Sequence, residues 1–254
     1  MKILVTGPNG FVGNYIMRAI PEAVPVPGLR GTEAEIKRKF ADADAVIHTA
    51  AVSSMPECEK DPEGSYRANV LLPVWIAEAA PQAKLVFFSS DQVYNGCSGE
   101  GPYSEESTCP VNVYAREKLE MEQRVAAISP DAVFLRAAWM YDRSHGFPAV
   151  MRACEGVSTA PKQYRGLTWV QEVADNIRKT LALPGGAYNF GSECSVPMLV
   201  LQKEALRLLG KDCPVIEGEK RQNLWMNTAK AQSCGIRFSD TLDGIRNCLT
   251  EMAQ

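Results

Sequence analysis

The eight residues TGPNGFVG at positions 6–13 constrain this chain more than any other stretch. They set Gly7, Gly10 and Gly13 three apart, directly after the short apolar run KILVT (2–6) and at the head of FVGNYIMRAI, whose apolar residues at 11, 12, 15, 16 and 19 recur at helical spacing. A strand, a glycine turn and a helix in that order predict a dinucleotide-binding crossover. Each glycine then has a physical reason to be there. One makes a tight turn with unusual backbone angles, one lets the backbone approach a pyrophosphate, and one lets the helix pack closely on the strand. The free N–H groups and the dipole of the helix N-terminus favour phosphate there. Thr6, Gly7, Asn9, Gly10, Phe11, Val12 and Gly13 are the candidate cradle.

Strand and helix keep alternating after this turn. AVPV (23–26), DAVIH (44–48), KLVFFSS (84–90) and AVFLRAA (132–138) read as strands. Between them EAEIKRKF (33–40), a long stretch over about 63–80 and YAREKLEMEQRVAAI read as helices. Uniformly apolar strands alternating with helices predict an α/β fold, a doubly wound Rossmann-type parallel sheet covered on both faces. Residues 1–140 are expected to form the dinucleotide-binding domain, which also receives a strand near 187–191. Beyond 140 the pattern loosens, with a helix at VQEVADNIRKTLAL (170–183), another at 196–209 and a last one near 239–252. Residues 141–254 are expected to be mostly a smaller substrate lobe interleaved with the sheet, not a separately folding domain.

Composition narrows the partners. The formal net charge of −3 and the lack of a basic run argue against nucleic acid. The eight cysteines are scattered singly without any C-x-x-C, which predicts reduced, mostly buried thiols. His48 and His145 are the only histidines, too few and too far apart for a zinc cluster, so no metal site is expected. No apolar run approaches membrane-spanning length, and the N-terminus lacks the apolar core of a secretory signal. The expectation is a soluble cytoplasmic protein.

Tyr114 and Lys118 lie four apart in YAREK, on one face of a helix. Chance gives roughly 0.4 such pairs in this composition, so the spacing needs support from the rest of the chain. That support is an ordered set of motifs: the glycine turn, HTAA (48–51), YRANVLLPVWIAEAA with Asn69, FSSDQVYNG (88–96) and PVNVYAREKLEMEQ. In this order they resemble the extended branch of the short-chain dehydrogenase/reductase superfamily over nearly the whole chain. The resemblance implies Ser90, Tyr114 and Lys118 as catalytic residues. It also implies a cofactor contacted by Thr49, Ala50, Ala51, Asn69, Ser89, Tyr114 and Lys118. Lys118 would lower the phenol pKa and bond the nicotinamide ribose, Tyr114 would protonate a carbonyl oxygen, and Ser90 would hold that oxygen. Ser89 is the neighbouring competitor for the last role. Gln92 has no titratable proton, which argues against the dehydratases of the superfamily. Arg30 near the end of the second strand suits a 2′-phosphate, so NADPH is expected, with NADH the alternative.

FLRAAWMYDRSHGF (134–147), GLTWVQEVADNI and KRQNLWMNTAKAQSCGI resemble elements of the dTDP-4-dehydrorhamnose reductases, with Gln222, Trp225 and Met226 departing from that pattern. This implies a sugar-nucleotide substrate met by Ser90, Asp91, Gln92, Trp139 and Arg221, and is compatible with a homodimer. Two other readings of the same motifs stay open. One is a non-catalytic NADP-binding regulatory subunit, resembling that of methionine adenosyltransferase, and the other is a sugar-nucleotide 4-epimerase.

Overall fold

The computed structural model describes residues 1–250. In chain order its elements are β1 (Ile3–Thr6), α1 (Phe11–Ala19), β2 (Val24–Val26), α2 (Glu33–Arg38), β3 (Ala45–His48), α3 (Met55–Lys60), α4 (Pro62–Tyr66), α5 (Leu72–Ala79), β4 (Lys84–Ser90), α6 (Val113–Ile128) and β5 (Val133–Ala137). Then follow β6 (Trp139–Tyr141), α7 (Phe147–Arg152), β7 (Ser158–Lys162), β8 (Leu167–Trp169), α8 (Val170–Thr180), β9 (Gly186–Phe190), α9 (Met198–Leu208), β10 (Val215–Arg221), α10 (Ala229–Ser233) and α11 (Thr241–Thr250).

Six strands form one sheet in the order β2-β1-β3-β4-β5-β9. β1 runs parallel to both β2 and β3, with Thr6 opposite Val26 and His48, and β3 runs parallel to β4. Every residue of β1 and β3 is buried, as a sheet covered on both faces requires. β2, on the edge, buries Val26 alone, and an edge strand tolerates Pro25 because one side of it owes no ladder hydrogen bond. The doubly wound parallel fold read from the sequence is the fold found. Its strand order reverses between β1 and β3, so the carboxyl ends of these strands, Thr6 and His48, mark the switch point where such sheets bind ligands.

The chain divides into two compact units. The first comprises Met1–Gly96, Cys109–Arg136 and Ala174–Tyr188, and the second Cys97–Thr108, Ala137–Val173 and the chain from Asn189 on. In the first, Leu4, Ile36, Phe40, Val46, Ile76, Leu85, Phe87, Met121 and Phe134 pack between the sheet, α2, α5 and α6. In the second, Tyr141, Phe147, Met151, Leu167, Met198, Leu201 and Ile245 form a separate core. Two parallel strand pairs, β7 with β10 and β6 with β8, accompany that core.

Several expectations need correction. The helical stretch expected over about 63–80 is present from Pro62 to Ala79, with a π-helical turn over Arg67–Leu71 between α4 and α5. Pro73 has no N–H to give, and its ring crowds the carbonyl four residues back, at Asn69, so the helix widens there. Strands β6, β7, β8 and β10 were not legible, since each is short or mixed in burial and pairs with a segment distant in sequence. The final residues of the helix expected to reach 252 lie outside the described residues. Two of the cysteines scattered in sequence are neighbours in space, Cys154 and Cys213 standing side by side. These two precede β7 and β10, and the pairing of those strands brings them together across 59 residues, a proximity that sequence spacing does not encode. Cys58, Cys194, Cys213 and Cys248 are buried, whereas Cys109 and Cys234 are exposed. Among the described residues no helix is long and apolar enough to cross a membrane.

Candidate active site

The glycine turn has the geometry its spacing predicts. Gly7 has φ +63°, and a Cβ there would stand 2.8 Å from Thr49 Oγ1 and close on the Ala50 backbone. A Cβ on Gly13 would lie 2.0 Å from the Gly7 carbonyl oxygen, so any side chain would lever α1 off the turn. Gly10 caps α1 and offers its first-turn N–H groups no side-chain acceptor. With Asn9 and Gly10 exposed and Phe11 and Val12 half-buried, this helix end is a cradle suited to a phosphate.

Thr6 ties the turn to the segment after β3. Its hydroxyl oxygen accepts from Thr49 N at 3.1 Å and Ala50 N at 3.4 Å, while Thr49 Oγ1 donates to the Thr6 carbonyl at 2.7 Å. The same hydroxyl lies in hydrogen-bond contact with His48 Nδ1, 2.9 Å away. The other ring nitrogen, Nε2, is buried with no hydrogen-bond partner. Burial first, and then the charge of Lys118, pushes His48 down to about 3, so it stays neutral at physiological pH.

α6 begins at Asn112, whose side chain accepts from Ala115 N at 2.8 Å. One turn in, Tyr114 and Lys118 share a buried face, the Lys118 ammonium 5.8 Å from the Tyr114 ring centre. Lys118 Nζ donates to the Phe88 carbonyl of β4 at 2.8 Å. The two serines at the end of β4 part company. Ser89 Oγ donates to Glu122, whereas Ser90 Oγ, beside Tyr114, donates to Asp91 Oδ1 at 3.3 Å and accepts from Gln92 N at 3.2 Å. The phenol pKa is raised, contrary to the lowering expected from Lys118. Burial outweighs the neighbouring Ser90 hydroxyl, which pulls it down, and the nearby Asp91 adds to the rise. Burial likewise lowers Lys118 to about 8, with Glu122 and Glu117 opposing that shift.

Sequence reasoning missed the buried polar groups behind this pair. Glu122 forms a buried ion pair with Arg136 at 2.6 Å, and Arg136 Nη1 donates to Tyr94 Oη at 2.9 Å. Glu117 accepts from Ser65 Oγ at 2.6 Å and Asn69 Nδ2 at 2.7 Å. The signal was present in the helical register, since Glu117 and Glu122 fall three residues after Tyr114 and four after Lys118, on the face shared with Met121 and Val125.

The remaining candidates are placed as follows. Arg30 and Ala51 are exposed, Thr49 and Ala50 half-buried, and Asp91 and Gln92 buried in the short 3-10 turn that follows Ser90. Trp139 and Arg221 belong to the second unit. Trp139 is half-buried on β6, beneath the Arg165 guanidinium at 5.4 Å and edge-on to Phe147. Arg221 ends β10 in an exposed ion pair with Glu100 at 3.2 Å. Among the described residues no group of three or more His, Cys, Asp or Glu could hold a metal ion.

Residues 1–190 match the model of a family described as the RmlD substrate binding domain. The chain is 34% identical to a dTDP-4-dehydrorhamnose reductase of Mycolicibacterium smegmatis over 163 residues, 59% of the chain and 50% of that relative. It thus spans about half the length of that curated relative. Two solved structures share its fold throughout. One is a dTDP-4-dehydrorhamnose reductase ortholog from Clostridium acetobutylicum, at 22% identity and TM-score 0.86, covering 98% of each chain. The other is a dTDP-4-dehydrorhamnose reductase from Bacillus anthracis in complex with NADP, at 21% identity and TM-score 0.85, covering 99% of each.

Proposed function

The chain belongs to the family of the RmlD substrate binding domain, and on that premise we propose that it reduces the ketone of a sugar nucleotide with NADPH, Tyr114 giving a proton to the carbonyl oxygen. The observation that carries the reading is a buried phenol with a serine hydroxyl and a lysine ammonium beside it, in the unit that opens with a dinucleotide cradle. The dTDP-4-dehydrorhamnose reductases among its relatives and the NADP bound by the Bacillus anthracis neighbour support the substrate class and the cofactor.

The turn at Gly7, Gly10 and Gly13 would hold the pyrophosphate, Thr49–Ala51 the adenosine side, Arg30 the 2′-phosphate and Lys118 the nicotinamide ribose. NADPH when bound supplies the hydride for the carbonyl carbon. The chain's own part is the proton. A phenol held above its ordinary pKa keeps its proton at neutral pH and releases it only as negative charge builds on the oxygen it faces. Ser90 directs that oxygen toward Tyr114. Lys118, near 8, is mostly charged at pH 7 and stabilises the phenolate left behind. Gln92, an amide where a dehydratase needs an acid, suits reduction without loss of water.

The test is to mix the purified protein with NADPH and a dTDP-4-keto-6-deoxy sugar and follow cofactor absorbance. Consumption is expected, and Tyr114→Phe should bind NADPH normally while turning over about 10²–10⁴-fold more slowly. Tight NADPH binding with no consumption by the wild type would favour the regulatory-subunit reading. NAD retained through turnover would favour the epimerase.

A further inference from the structure

We propose that Glu117 is a positioning residue: acting through Asn69, it fixes the backbone of residues 49–52 and so sets the seat for the dinucleotide. The inference rests on the dinucleotide reading of that segment and adds a group no motif singled out.

Asn69 clamps one backbone position from both sides. Its Oδ1 accepts from Val52 N at 3.0 Å, and its Nδ2 donates to Val52 O at 2.9 Å. Because a backbone N–H only donates and a carbonyl only accepts, the amide has one orientation. The second Nδ2 proton goes to Glu117 Oε2 at 2.7 Å, with the Cys58 sulfur a weaker neighbour at 3.8 Å. Both amide protons are thus committed inside the protein. The other Glu117 oxygen is held by Ser65 Oγ at 2.6 Å.

Two donors converging on two oxygens call for a group that only accepts, which a carboxylate is and an amide is not. Bonds to a charged acceptor are roughly twice as strong as neutral ones, which offsets the cost of burying Glu117 to 4% exposure. The Lys118 ammonium, next on the same helix, adds a favourable charge. The π-helical turn at Arg67–Leu71 presents Asn69 to this site, and Pro73 accounts for that turn.

The segment is therefore gripped at both ends, Thr49 and Ala50 by Thr6 and Val52 by Asn69. Gly7 lies against Thr49 and Ala50, so movement at Val52 is passed to the turn that faces the phosphates. Glu117, three residues from Tyr114, couples the helix of the phenol to the opposite wall of the cofactor site.

The test inverts the polarity of the pair. Asn69→Asp sets two carboxylates against each other and an oxygen against the Val52 carbonyl, and adding Glu117→Gln restores a donor facing an acceptor in the side-chain pair alone. Amide exchange of residues 49–53 in the protein without ligand, and NADPH affinity by fluorescence titration, are read on both variants. Loss of a hydrogen bond to a charged group corresponds to about tenfold or more, so exchange should quicken and affinity fall by that factor in Asn69→Asp. The added Glu117→Gln should recover a substantial part of each. If Asn69→Asp does not fold, Glu117→Leu and Glu117→Gln replace it, and both should quicken exchange, the leucine more, because the amide keeps one acceptor oxygen. Wild-type exchange in Asn69→Asp, a defect that Glu117→Gln does not relieve, or equal exchange in Glu117→Leu and Glu117→Gln overturns the proposal. A wild type that does not bind NADPH would end the dinucleotide reading, while exchange alone would still decide the role of Glu117.

Discussion

The first unit buries Asp91, Glu117, Lys118, Glu122 and Arg136 together with His48, whereas among the described residues of the second no acidic, basic or histidine side chain is so deeply enclosed. The second unit ties its interior with uncharged groups instead, such as Ser158 Oγ on Gln202 at 2.9 Å and Thr241 Oγ1 on the Glu193 carbonyl at 2.7 Å. Its arginines pair at the surface, Arg207 and Arg246 flanking Glu204 with 66% and 48% of their side chains exposed. A charge taken out of water survives only with partners held in place, so burial of this kind marks where the fold fixes geometry. The charges cluster on α6, at the end of β4 and on β5, in the unit where the phenol and the lysine stand.

The strongest way to break this contrast is to orphan a buried charge. Arg136→Met leaves Glu122 enclosed without its ion pair and should cost about 3–5 kcal/mol in urea unfolding. A loss below about 1 kcal/mol would mean that Glu122 finds water and that the buried network is not rigid.

Acid should expose the next difference. His48 sits at about 3 in the folded chain against an ordinary value of 6.5, so the unfolded chain takes up the proton first. Its contribution is complete above pH 6.5 and is lost as pH falls toward 3, with a slope of up to about 1.4 kcal/mol per pH unit. His48→Gln should flatten the stability–pH curve in that window relative to wild type. Parallel curves would show that the ring reaches solvent.

The smallest effect belongs to the second unit. Arg246→Ala removes an exposed partner of Glu204 and should change stability by less than about 1 kcal/mol, with the difference shrinking at high salt. A cost comparable to that of Arg136→Met would erase the distinction between the units.

How far each region was legible follows from the range of the forces that shape it. β1, β3 and β4 are continuous apolar runs whose identity is local, and Gly7 and Gly13 are required by contacts within a few residues or with the adjacent strand end. Tyr114 and Lys118 could be paired because a helix turn enforces it. Nothing local marks β10 as the partner of β7, with Val215 opposite Ser158, or Cys154 as the neighbour of Cys213. What tells Ser89 from Ser90 was equally closed to spacing, since it lies in their partners, Glu122 for the first hydroxyl and Asp91 for the second.

By itself the sequence determined a parallel α/β sheet with a glycine turn at its switch point, because strand burial, helical period and the lack of a Cβ act over short stretches of chain. Only the tertiary structure decided which way the phenol pKa moves, which carboxylates are enclosed and what Asn69 holds. Burial and hydrogen-bond partners come from segments tens of residues apart, and no periodicity carries that information.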